Sequence, residues 1–198
     1  MMDMIYTVVR FLANCYLNLF YRFDIQGREN VPEGVAVILS PNHIHWLDPV
    51  VVACKVTAQR IHFMGKQELF DIPVLPWLLR KLSVIPVRRG EADVTAIKSA
   101  LRVLKSNGIL GIFPEGTRVK PGEEKPPEPG FVVLALKTKC PILPVSISGS
   151  YKFRSTLRVI IGAPIDLSPY YGVKNDRDVL EEIGRNVMQE IKNLGVVR

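Results

Sequence analysis

The chain has 198 residues, 47% hydrophobic and 23% charged, and its 26 Lys and Arg against 19 Asp and Glu leave a formal net charge of +7. That length and composition predict one domain with a sizeable core and exclude a disordered tail, a coiled coil and a collagen-like fibre. The positive excess is local, because residues 55–105 hold ten Lys or Arg against four acids, +6 of the +7; such a patch favours anionic partners, among them lipid headgroups, phosphates, nucleic acid and acidic proteins.

In residues 4–23, Ile5, Val8, Val9, Leu12, Tyr16, Leu19, Phe20 and Phe23 recur at steps of three and four, opposed by Thr7, Arg10, Asn14 and Asn18. This predicts an amphipathic helix. Arg10 and the two Asn weigh against a membrane span, which wants about 20 mostly apolar residues with few or no charges. A helix lying in the membrane interface and a helix docked on the protein's own core both fit, and the two are compatible. The expected division is a membrane-associating helix over 1–23 and a single domain over 24–198. The order of basic, apolar and small residues that marks a cleavable signal peptide is not expected here.

Beyond this segment, strands and helices alternate. Residues 35–39 (VAVIL) read as a buried strand after Pro32 and Gly34. Residues 49–56 read as a helix entered through Asp48-Pro49, with Asp48 as its N-cap and proline at the first helical position. Strands are expected at 60–64, 84–87, 109–113 (ILGIF), 142–148 and 157–161. Helices are expected at 74–82, at 94–104 up to the Asn107-Gly108 stop, at 131–139, and at 179–194. Residues 119–130, rich in proline and glycine, read as a loop. This alternation predicts an α/β domain, a mixed sheet flanked by helices.

Polar residues crowd behind two of the buried strands. The first set is Asn42, His43, His45 and Asp48; the second is Phe113-Pro114-Glu115-Gly116-Thr117-Arg118. In α/β sheets, sites gather beyond the carboxyl ends of strands. His43 and Asp48 can meet only if the chain turns between them, since on a continuous helix five residues put them about 140° apart. Two readings stand at this point. In one, the carboxylate fixes the imidazole tautomer and leaves the other ring nitrogen as a base; in the other, Asp48 is a helix cap and His43 a turn residue. His45 is a second candidate base, and His62, in an apolar strand, reads as structural. No nucleophile elbow or phosphate loop is present, so a histidine base here would activate a substrate hydroxyl or a water. The arginines at strand ends, Arg88, Arg89 and Arg118, suit bidentate phosphate binding or simply a solvated surface. Cys15, Cys54 and Cys140 each lie in an apolar run and read as buried thiols of a reducing compartment, with no zinc pattern.

Asn42-His43-x4-Asp48-Pro49 resembles the first motif of the glycerolipid acyltransferases, the family of 1-acylglycerol-3-phosphate acyltransferases. Residues 83–89 (SVIPVRR) resemble the second, with Arg89 at the motif arginine, 113–118 (FPEGTR) match the third, and Leu143-Pro144-Val145 resembles the fourth. All four occur in family order. The resemblance implies an enzyme that moves a fatty acyl group from a thioester to the sn-2 hydroxyl of lysophosphatidic acid, giving phosphatidic acid. Glycerol 3-phosphate or another lysophospholipid is the alternative acceptor, and a non-catalytic binder of anionic membranes the alternative class. It implies His43 as general base, Asp48 as its orienter, and Lys66, Arg89, Glu115, Gly116, Thr117 and Arg118 as the acceptor site. The 143–145 motif would line the site or support its sheet. It further implies no metal and no cofactor, an acyl-coenzyme A or an acidic acyl carrier protein as thioester donor, a membrane lipid rather than nucleic acid as partner, and a peripheral or monotopic seat on the cytoplasmic face of the membrane. The family usually carries Ser or Thr at His45, Gly at Ser83 and Asp or a similar residue at Arg88.

Overall fold

Short apolar runs can be buried on both faces only as strands between layers of helix, and here they form the centre of the molecule. The computed structural model describes residues 4–88, 93–119, 123–172 and 176–196. The strands are β1 Arg22–Gln26, β2 Val37–Pro41, β3 Ile61–Lys66, β4 Ile85–Val87, β5 Ile109–Gly111, β6 Ile142–Gly149 and β7 Thr156–Ile161. The helices are α1 Met4–Phe20, α2 Asp48–Lys55, α3 Leu75–Lys81, α4 Val94–Lys105, α5 Gly130–Thr138 and α6 Arg177–Val196. The strands make one sheet in the order β1-β7-β6-β2-β5-β3-β4. All neighbours are parallel except β6 and β7, so the sheet is mixed, as expected, with helices on both faces.

Strand residues alternate between two cores, as the pleat requires. Val37 and Leu39 of β2, Leu143, Val145 and Ile147 of β6, and Leu157, Val159 and Ile161 of β7 pack with Leu17 of α1 and with Val51 and Val52 of α2. Ile38, Leu110 and Ile142 face the other way, against Ala96, Ala100 and Leu104 of α4, Phe131 and Leu134 of α5, and Ile183, Val187 and Ile191 of α6. Local signals set several boundaries. Asp93 caps α4 by accepting from the Ala96 N–H at 3.0 Å, and Asn107, at φ 57°, turns the chain out of the helix before Gly108.

Two expectations are corrected at the N-terminus. The helix ends at Phe20, and Phe23 belongs to β1, a strand that the helical spacing concealed. The Phe20 carbonyl accepts from the Arg154 N–H at 2.7 Å, and Phe23 pairs in parallel with Leu157. The last helical step is thus overridden by the sheet edge, and the boundary drawn at residue 23 cuts through a strand of the domain. Cys15 is exposed on α1, Cys54 half-buried and Cys140 buried, so burial holds fully for one thiol of three.

α1 is docked by its polar side. Arg10 donates to the carbonyls of Ala53, Thr57 and Ala58 at the end of α2, satisfying acceptors that a helix terminus leaves open. Lys55 of α2, 6% exposed, donates to the Asn14 and Asn18 side-chain oxygens at 2.7 and 2.6 Å and sits over the Phe23 ring. Tyr6 and Leu17 are the buried apolar residues of this face, while Met4, Val8, Phe11, Leu12, Tyr16 and Leu19 are exposed. None of the described helices is long and apolar enough to cross a membrane.

Candidate active site

β2 and β5 are parallel neighbours, so the turns after them leave the sheet at one edge. Asn42 fixes the first turn. Its backbone N–H donates to the Val145 carbonyl at 3.3 Å, and its side chain both donates to the Ile147 carbonyl at 2.9 Å and accepts from the Ile147 N–H at 2.6 Å. The chain then turns back before α2, and His43 Nδ1 meets Asp48 Oδ2 at 2.9 Å. Asp48 is fully buried, and the His43 side chain is 14% exposed.

Asp48 is the first helical residue rather than the cap, which is Leu47. Its carboxylate points back into the turn, where Oδ2 also accepts from the Ile44 and His45 N–H groups at 2.7 and 2.6 Å, and Oδ1 accepts from the Tyr151 hydroxyl. A carboxylate only accepts, so Nδ1 of His43 carries a proton, and in the neutral imidazole Nε2 is then the nitrogen with the lone pair. The turn thus brings His43 and Asp48 into the contact that the dyad reading requires, while Asp48 also ties the turn together. His45 is engaged by other partners than His43. Its Nδ1 accepts from the Leu47 N–H at 3.3 Å, its ring stacks on Tyr151 at 3.9 Å, and burial, reinforced by the charges of Arg118 and His43, holds it below the usual histidine range despite Asp48. His62, half-buried in β3, is likewise held low, by burial and then by Arg60.

The second turn closes on the first. Glu115 Oε2 accepts from the His43 N–H at 2.8 Å, the Val119 N–H donates to the His43 carbonyl at 2.9 Å, and the Phe113 ring stacks on the imidazole at 4.2 Å. Gly116 sits at φ 67°, where a side chain would be strained, so the turn can fold Glu115 inward. Glu115 is 5% exposed. Burial, aided by the charge of Asp48 and opposed by the His43 N–H, pushes its carboxyl up to about 7.

His43 therefore contacts both Asp48 and Glu115. Thr117 and Arg118 are exposed at the outer side of the same turn, and Gly116 is half-exposed. Lys66 ends β3, in register with Val87 at the end of β4, on the edge where the turns emerge; it is exposed and paired with Glu68 at 2.9 Å. Arg89 lies outside the described residues. The 143–145 motif lies in β6 beneath the site, with Leu39, Ser40 and Pro41 of β2 opposite Leu143, Pro144 and Val145, so it supports the sheet. Among the described residues, no group of three or more His, Cys, Asp or Glu could hold a metal ion.

Sequence reasoning missed Tyr151 and the part played by Asn42 as a clamp. Tyr151 follows β6, which runs parallel to β2. The rule that residues beyond strand carboxyl ends form sites would have reached it had it been applied to this strand.

Residues 22–148, more than half of the chain, match a family model described as Acyltransferase. The chain is 31% identical over 200 residues to the chloroplastic 1-acyl-sn-glycerol-3-phosphate acyltransferase BAT2 of Brassica napus, covering 94% of this chain and 56% of that protein. It is 28% identical over 193 residues to the 1-acyl-sn-glycerol-3-phosphate acyltransferase of Bacillus subtilis, covering 93% of this chain and 96% of that one. It thus spans little more than half of the plant relative and nearly all of the bacterial one. The crystal structure of the 1-acyl-sn-glycerophosphate acyltransferase PlsC from Thermotoga maritima superposes with a TM-score of 0.74 at 25% identity, covering 98% of this chain and 80% of that chain. With the His43–Asp48 contact at a sheet edge and the family match over most of the domain, the chain belongs to the acyltransferase family.

Proposed function

We propose that the protein transfers a fatty acyl group from a thioester to the sn-2 hydroxyl of lysophosphatidic acid, giving phosphatidic acid. The observation that carries this reading is the contact of His43 Nδ1 with the buried Asp48 carboxylate; the names of the similar proteins supply the acceptor. Nε2 of His43 takes the hydroxyl proton as the oxygen attacks the thioester carbonyl. The tetrahedral adduct collapses, the carbon–sulfur bond breaks, and the imidazolium returns its proton to the leaving thiolate. Asp48 holds the tautomer and stabilises the imidazolium. Since the thioester is already activated and the base is an imidazole, the reaction runs without a metal.

In this reading Arg118, Lys66 and Arg89 hold the acceptor phosphate, Thr117 and Gly116 shape the loop around it, and Glu115 fixes the His43 backbone. The thioester is acyl-coenzyme A or an acyl carrier protein, whose negative charge suits the basic stretch 55–105. The protein sits peripherally on the cytoplasmic face of a membrane, with the exposed stripe of α1 toward the acyl chains. What supports that seat is a helix that uses its polar side for docking and leaves its apolar side uncovered.

The test is an assay of the purified protein with lysophosphatidic acid, glycerol 3-phosphate and neutral lysophospholipids, each with both thioester types, alongside His43→Ala. Turnover is expected with lysophosphatidic acid and to fall by about 10²–10⁴-fold in a folded His43→Ala. Near-normal turnover in that variant overturns the base, and turnover with glycerol 3-phosphate alone reassigns the acceptor.

A further inference from the structure

Oδ2 of Asp48 is committed three times over, to His43 Nδ1 and to the Ile44 and His45 N–H groups. Oδ1 is turned the other way, and the Tyr151 hydroxyl donates to it. Because Asp48 is fully buried, solvent does not reach that oxygen. A carboxylate held at one oxygen can still tilt about its Cβ–Cγ bond; held at both, it cannot, and only then is the lone pair facing His43 fixed in direction.

Tyr151 is itself immobilised. His45 stacks on its ring at 3.9 Å with 17° between planes, and Tyr21 meets it edge-on at 5.6 Å. The loop that carries it is tied to the end of α1 by the Arg154 N–H bond to the Phe20 carbonyl and by the Phe153 and Phe20 rings. Burial, and then the charge of Asp48, push its hydroxyl far above the usual tyrosine range, so it stays protonated and acts only as a donor toward the carboxylate. Tyr151 lies outside the motifs at 42–49, 83–89, 113–118 and 143–145.

We propose that Tyr151 is a positioning residue for acyl transfer, holding the second oxygen of Asp48 so that the first stays aimed at His43. The role rests on the assignment of His43 as base. In this role Tyr151 acts through Asp48, the carboxylate its hydroxyl donates to.

Tyr151→Phe removes the donor and keeps the ring with its stacking. Folding is followed by thermal melting, kinetics by kcat and KM for both substrates, and the His43–Asp48 contact by the imidazole Nδ1 proton resonance in histidine-labelled protein. With three histidines in the chain, that resonance is assigned by its loss in His43→Ala. A folded Tyr151→Phe is expected to lose about 10–150-fold in kcat, the range of one hydrogen bond to a charged group, with both KM values within about twofold and the Nδ1 resonance displaced or broadened. A lowered melting temperature with kcat and the resonance unchanged overturns the proposal, as does a loss confined to KM. Should Tyr151→Phe fail to fold, fluorotyrosine placed at position 151 keeps the ring and strengthens the donor; it is expected to displace the Nδ1 resonance, and an unmoved resonance overturns the proposal. His43→Ala separates the two readings. If it is inactive while Tyr151→Phe is normal, only the role of Tyr151 fails; if it remains active, both fail.

Discussion

Glu115 is a carboxyl enclosed between the imidazole turn and its own loop, and its titration up to about 7 ties stability to pH with an unusual sign. In the unfolded chain it titrates near 4.5, so between about 4.5 and 7 the folded state holds the extra proton. Stability therefore falls as pH rises through that window and levels off above it. Glu115→Gln keeps an acceptor for the His43 N–H without the buried charge. It is expected to match the parent near pH 4.5 and to exceed it at pH 8 by up to about 3 kcal/mol; thermal melting across that range checks this, and parallel curves would refute it. Arg118 is the exposed cation nearest the turn's outer side, and Arg118→Ala is expected to raise the apparent constant for the phosphate-bearing acceptor by about 10–150-fold. Arg118→Lys should recover only part, for want of the planar fork. A rise in the thioester constant instead would move Arg118 to the donor. Ser83 sits at φ 62°, in the left-handed region that favours glycine, and its hydroxyl accepts from Arg60 at 3.2 Å, which gives the serine a partner there.

At the scale of elements, α1 is inverted relative to an ordinary surface helix, and the inversion could not be read from its periodicity. The spacing of Ile5, Val8, Leu12, Tyr16 and Leu19 identifies an apolar stripe but not which side meets the domain. Lys55 and the open carbonyls of Ala53, Thr57 and Ala58 decide that, because they need the polar side chains. The helix is accordingly part of the fold as well as a surface feature. Leu17 is fully buried, and Leu17→Ala is expected to cost about 2–5 kcal/mol in denaturant or thermal unfolding. A loss under about 1 kcal/mol would mean that α1 packs loosely on the domain. Removal of the segment before Asp24 takes away this core contact and the first residues of β1, so it tests folding rather than membrane seating.

Across the whole molecule, two surface features bear on the proposed membrane seat. The α1 stripe is exposed, and Arg60, Trp77, Arg80 and Lys81 line one cavity of about 660 Å³ with Val74 and Pro76. Tyr6 of α1 lies against Arg60, whose guanidinium is 4.5 Å from the ring centre, so the start of α1 and the basic cavity adjoin. Full burial of large apolar side chains is worth about 1.5–3 kcal/mol each, against about 1 kcal/mol per basic residue near anionic lipid; insertion should dominate and charge should modulate. Phe11→Ser, Leu12→Ser and Leu19→Ser together are expected to abolish sedimentation with anionic vesicles while the melting temperature holds. High salt should weaken the parent's binding only in part. Complete release by salt would make the basic surface the anchor.

Much of this protein was legible along the chain. The apolar runs VAVIL and ILGIF contain the central strands, although β2 begins only at Val37 and β5 ends at Gly111; Asn107-Gly108 ends α4; and the polar residues after the two runs, His43, Asp48 and the 113–118 turn, come together at one end of the sheet. These are local signals, set by propensity, capping and pattern within a dozen residues. Other features were decided only when the chain closed on itself. β1 exists because β7 offers it an edge 134 residues away, as the pairing of Asp24 with Arg158 records. Glu115 meets the His43 backbone across 72 residues and Tyr151 meets Asp48 across 103. The docked side of α1 is chosen by Lys55 and the end of α2. In each case the deciding group is a hydrogen-bonding partner remote in sequence, and a buried polar atom takes whichever partner the packed sheet brings to it.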